Sequence, residues 1–126
     1  MQPEAGAPLA PCPRSPNCVS SLADDDGHRV APLLLREPGD RAWASVRRAV
    51  LALPRTRIVR ERPGYLRAEC TSRWLRFVDD LELALAADGA RIDVRSASRL
   101  GHSDLGVNRR RVETLRSALR DAGVAE

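Results

Sequence analysis

Residues able to do chemistry crowd into one stretch of this chain. Positions 95–111 read Arg95-Ser96-Ala97-Ser98-Arg99-Leu100-Gly101-His102-Ser103-Asp104-Leu105-Gly106-Val107-Asn108-Arg109-Arg110-Arg111. Upstream, Arg73 and the pair Asp79-Asp80 add a guanidinium and two carboxylates. Two chemistries suit this set. An aspartate held beside arginines can act as a general acid or base, with His102, exposed between Gly101 and Ser103, assisting near neutral pH. Alternatively, Arg73, Arg95, Arg99, Arg109 and Arg111 can clamp an anion with their planar forks. Ser96, Ser98, Ser103, Asp104 and Asn108 would complete such a site, and a helix starting at Asn108 would add its positive N-terminus.

Other chemistries are excluded by what is missing. All 21 basic residues are arginine, so no P-loop, Schiff-base or general-base lysine exists. His28 and His102 have no partner at metal-ligand spacing, and no Cys-x-x-Cys occurs, so neither a metal nor a cofactor is expected. The run Asp24-Asp25-Asp26-Gly27 reads as a solvated loop. No serine sits in a G-x-S-x-G elbow, and Gly101 and Gly106 do not form a G-x-G-x-x-G phosphate loop. Trp43, Tyr65, Trp74 and Phe77 are the only aromatics, too few for a base-stacking surface, so nucleic acid is not an expected partner. The competing reading of the same polar residues is structural: the aspartates pair with the arginines and lock loop and strand ends, because an inward carboxylate is costly unless paired.

The elements that would position these groups follow from periodicity. Residues 1–11 read as a flexible lead and 12–126 as one domain, opened by a turn-rich arm at Cys12-Pro13-Arg14-Ser15-Pro16-Asn17-Cys18. Val30–Leu35 suggests an edge strand or extended arm. Asp40 is placed to cap a helix over 41–53, with Trp43, Val46, Val50 and Leu53 on one stripe, ended by Pro54. Period-two patterning then predicts a hairpin of 57–60 with 65–70, a long strand from Trp74 to Leu85, and a strand at 91–98 after the Asp88-Gly89 turn. A two-residue loop there sets Leu85 against Ile92, Leu83 against Val94 and Glu82 against Arg95, with Asp79 opposite Ser98 and Asp80 opposite Ala97. A last helix, capped by Asn108, buries Val112, Leu115, Leu119 and Ala122 and stops at Gly123. The expected architecture is α+β: a four-stranded antiparallel meander with N-terminal and C-terminal helices on one face.

Charge and targeting features bound the partners. Residues 1–40 carry three arginines against six acids, whereas 41–126 carry eighteen against eleven. The folded part is therefore basic and favours anionic partners. No apolar run is long enough for a membrane span, and Met1-Gln2-Pro3-Glu4 lacks the basic start and apolar core of a signal peptide. The expected location is cytoplasmic, where Cys12 and Cys18 would be thiols; in an oxidising compartment they could close a small loop.

The segments Cys12-Pro-Arg-Ser-Pro-Asn-Cys18-Val-Ser-Ser21, Tyr65-Leu-Arg-Ala-Glu69, Phe77-Val-Asp-Asp80, and Arg95-Ser-Ala-Ser-Arg99 through Arg111-Val-Glu113 together resemble domain-of-unknown-function family 1499. The resemblance covers roughly residues 12–120. It implies that these motif residues belong to one shared site or scaffold, and it supplies no catalytic residue. The expectation is a binding module with an arginine-lined pocket for a small anionic molecule or a protein partner's segment. The alternative is a small metal-independent lyase, isomerase or hydrolase using Asp79 or Asp80.

Overall fold

The computed structural model describes residues 9–101 and 103–126. In chain order these form β1 (Cys18–Ser20), β2 (Leu33–Leu34), α1 (Gly39–Leu51), β3 (Thr56–Arg62), β4 (Tyr65–Thr71), β5 (Val78–Leu85), β6 (Arg91–Ser98) and α2 (Val107–Asp121). All strands join one antiparallel sheet ordered β1-β6-β5-β4-β3, with β2 also pairing β6. The sheet therefore has six strands rather than the four of the meander. The extra two come from the turn-rich arm and the apolar run after it, too short to carry a period-two signal of their own. Their ladder partners lie more than 50 residues away on β6: Val19 opposite Ser96, and Leu33 opposite Ile92.

The β5–β6 register is the one the apolar pairs demanded, with Leu85 opposite Ile92, Leu83 opposite Val94, and Asp79 opposite Ser98. Slipping it by one residue would turn Leu81, Leu83, Ile92 and Val94, all fully buried, to the other face. These residues, with Leu66 and Ala68 of β4, meet Val46 and Val50 of α1 and Val112, Leu115 and Leu119 of α2 in one core. Both helices thus cover the same side of the sheet. Helix α1 begins at Gly39, not after Asp40, because its start docks on the β5–β6 turn. The Gly39 N–H donates to Gly89 O at 2.9 Å, and a Cβ there would lie 2.5 Å from the Leu85 side chain.

One further expectation is corrected. Strand β5 starts at Val78, not Trp74. Arg76 adopts a left-handed φ of 58°, and Ser72 and Phe77 close a loop on each other: Ser72 N–H to Phe77 O, and Phe77 N–H to Ser72 Oγ, both 2.8 Å. Apolar alternation through 74–77 mimics a strand that this loop interrupts. Of the two states left open for Cys12 and Cys18, thiols or a small closed loop, the structure has the loop, a disulfide with Cα atoms 5.7 Å apart. Of the flexible lead, residues 1–8 lie outside the described residues, and Leu9 is buried against Tyr65 and Ala84.

Candidate functional site

The two motif segments meet at the end of the sheet where β5 begins and β6 ends. Their junction is Asn108, fully buried in the first turn of α2. Its Nδ2 donates to Asp104 Oδ2 (2.8 Å), Ser98 Oγ (2.9 Å) and Asn17 O (3.3 Å). Its Oδ1 accepts from Ser96 Oγ (2.6 Å) and Arg111 Nη1 (2.8 Å). One side chain thereby ties the N-terminal arm, β6, the β6–α2 loop and α2 together. It is not the helix cap. Gly106 occupies that position at φ 81°, and Asp104 does the capping, accepting from the N–H groups of Gly106 (2.8 Å) and Asn108 (3.2 Å). Burial pushes the Asp104 carboxyl up, yet the hydrogen bonds from the Asn108 side chain and these two backbone groups outweigh it and hold it below the ordinary carboxylate range.

Beside this hub, Asp79 points into the helix-covered side of β5 and is almost fully buried. Arg111 reaches down from α2 to meet it at 2.9 Å while also donating to Asn108 and Ser96. Asp80, one residue on, faces the opposite side of the sheet. There Arg99 grips it with two hydrogen bonds (2.8 and 2.9 Å) and Glu69 with a third (2.7 Å). These contacts to Asp80 and then Glu69 raise the Arg99 guanidinium pKa, and Arg99 followed by Arg57 lowers that of Glu69.

The remaining motif arginines are also occupied. Arg109 straps the acidic loop to α2, donating to the carbonyls of Arg29 (2.8 Å) and Gly27 (3.3 Å). Arg110 donates to Leu105 O at 3.0 Å. Three adjacent cations at a helix N-terminus are unfavourable with the dipole, but each has found an acceptor within the chain. Arg95 lies on the helix-free face of the sheet near Glu82, 3.7 Å away. Ser103 accepts locally from the Leu105 N–H at 3.3 Å. His102 lies outside the described residues. The expected site residues thus divide. Ser96, Ser98, Asp104, Asn108, Arg111 and Asp79 converge, whereas Asp80, Arg95, Arg99 and Arg109 face elsewhere.

Above the convergent group the surface is concave. A recess of about 320 Å³ opens between the 72–77 loop and the 99–107 segment, with Asp79, Ser98 and Asp104 among its lining. Its walls are apolar: Trp74, Leu75, Leu100 and Leu105 are each more than 60% exposed, and Phe77 is about half exposed. Arg73, the cation at its rim among the described residues, lies with its guanidinium 4.8 Å from the Trp74 ring centroid. Sequence reasoning ran the strand from Trp74, with Leu75 and Phe77 on its apolar face, and so missed the walls. The one available signal was Arg73-Trp74-Leu75-Arg76-Phe77, where arginines alternate with apolar residues on a strand that would have been buried. It also missed Asn17, whose Nδ2 donates to Gly101 O at 2.6 Å and fixes the loop bearing Leu100. Among the described residues no group of three or more His, Cys, Asp or Glu side chains is placed to hold a metal.

No curated protein matches the chain. Residues 8–119, nearly the whole sequence and every motif gathered around Asn108, match the family described as Protein of unknown function (DUF1499), and the chain belongs to that family.

Proposed function

We propose that this protein is a binding module whose recess takes a small amphiphilic anion. The observation that carries the reading is the clustering of Trp74, Leu75, Phe77, Leu100 and Leu105, all exposed, around one concavity with Arg73 at its rim. A soluble surface seldom gathers so much apolar area without a partner for it. The volume lies at the small-molecule end of ligand sites, where apolar walls supply affinity and a few polar groups supply orientation. The apolar body would lie between Trp74, Leu75 and Leu105, and the anionic end beside Arg73. The buried hub below would act as a rigid floor rather than as a ligand. The enzyme alternative is less well supported, since Asp79 and Asp80 are both engaged by guanidinium groups and neither is placed as a free base.

Tryptophan fluorescence tests this directly, because Trp74 is at the mouth. Titration with decanoate or decyl phosphate, below the onset of micelles, is expected to give a saturable blue shift. Decanol should bind more weakly, and Arg73→Gln should remove that difference. Leu105→Asp should weaken binding at least about tenfold without unfolding the chain, since surface changes cost at most about 0.5 kcal/mol. A linear, unsaturable response that Leu105→Asp leaves unaltered would sink the proposal.

The place of work is a separate matter. The Cys12–Cys18 bond supports an oxidising compartment over the reducing cytoplasm, because short-loop disulfides persist only where glutathione does not reduce them.

A further inference from the structure

The helices cover one side of the sheet, and the other side carries a group of arginines, among them Arg95 of the β6 motif and Arg67 of the β4 motif. The register sets Arg60, Arg67, Glu82 and Arg95 side by side across four strands, with Arg62 opposite Tyr65 in the neighbouring row. Directly opposed residues of antiparallel strands share a face, so three cations and one acid form a single rank. The acid is already engaged: Tyr65 Oη donates to Glu82 at 2.6 Å, and Arg95 stands at 3.7 Å. Residues 9–11 pass over this surface. Leu9 packs on Tyr65 and Ala84, and Arg95 donates to Pro11 O at 3.3 Å.

In this half-covered rank and the row beside it, four guanidinium nitrogens are buried with no acceptor among the described residues: Nε and Nη2 of Arg62, Nε of Arg67 and Nε of Arg95. Arg62 lies 5.3 Å from the Tyr65 ring centroid, a contact that suits its charge but accepts none of its in-plane N–H groups. Buried donors are nearly always satisfied, and buried charged ones most strictly so. Here the unsatisfied donors come from adjacent strands β3 and β4 and from β6, which lies beyond β5 in the sheet order. An acceptor that served all of them would need several oxygens in a compact array and negative charge to offset the excess of arginine. A tetrahedral oxyanion has both, and guanidinium forks match its edges.

We propose that the helix-free face of the sheet holds a site for a phosphate-class oxyanion, built from Arg62, Arg67 and Arg95. It lies across the sheet from the helices and is independent of the recess. The test is calorimetric titration of the full chain at low salt with inorganic phosphate, pyrophosphate and glycerol phosphate. Saturable binding is expected. Arg67→Gln should weaken it at least tenfold while leaving the melting temperature unchanged or higher, since the buried Arg67 Nε has no acceptor among the described residues. Arg120→Gln, a charge-matched change on the far helix, should bind as the parent does. Tighter binding of glycerol phosphate than of phosphate would identify an ester as the ligand, and the reverse the free anion. The proposal is overturned if no probe gives saturable heat, or if Arg67→Gln and Arg120→Gln behave alike. It is also overturned if Glu4→Gln lowers the melting temperature while phosphate stays inert, which would assign the acceptor to the chain's own N-terminal acid.

Discussion

At the scale of single residues, the arrangement turns on groups that are buried and polar together. Asp79 and Arg111 form an ion pair removed from water, where losing one partner strands the other. Arg111→Met is therefore expected to cost about 3–5 kcal/mol in urea unfolding. Asp79→Leu combined with Arg111→Met should recover a substantial part of that loss, because two apolar side chains leave no uncompensated charge. A single variant within about 1 kcal/mol of the parent would contradict the buried-pair account. Asn108 is legible in the sequence as polar and helix-initial, which suggests a cap. Its five side-chain hydrogen bonds are not legible, since their partners come from residues 17, 96, 98, 104 and 111.

At the scale of elements, the N-terminal arm is held by side chains rather than by a long ladder. His28 bridges it, with Nε2 2.9 Å from Ser15 O and Nδ1 2.7 Å from Asp25 Oδ2. The Ser15 carbonyl, and then the Asp25 carboxylate, raise the imidazole above its ordinary value of 6.5. A raised folded-state value means that the charged ring stabilises the fold. That contribution is complete below pH 6.5 and is lost as pH rises through the higher folded-state value. Melting temperature is expected to decline as pH rises above about 6.5, and the part of the decline due to this contact should vanish in His28→Gln. Equal slopes in the two proteins would remove His28 from the account. The helices and the β5–β6 pairing were readable because their periods are local. The loop at 72–77 was not, because its apolar alternation satisfies the strand pattern while its closure depends on one serine and a left-handed arginine.

At the scale of the whole molecule, the sheet is a divider between a fully packed side and a charged side, with an apolar rim at one end. No helix among the described residues is long and apolar enough to cross a membrane. The disulfide closes the arm onto β1, which itself pairs with β6, and Cys70 is the remaining cysteine, buried and with its thiol pushed up by that burial. Thiol titration of the denatured, unreduced protein should find one reactive group, not three. Reduction should lower stability by about 2 kcal/mol, the loop-closure effect for so short a ring, without dissolving the β3–β6 core. Three reactive thiols in protein taken directly from its host would place it in a reducing compartment.

The sequence by itself determined the α+β class, both helices, the β5–β6 register and the family, because each rests on local period or contiguous motif. Only the tertiary structure decided which polar groups are partners and which are free. It joined Asn17 to Asn108 across 91 residues, assigned most of the motif arginines to internal acceptors, and exposed side chains that composition alone would bury. Pairing at that distance depends on which strand lies beside which. The edge strands β1 and β2 are too short to announce their place, so β6 recruits them only once it has itself been set against β5.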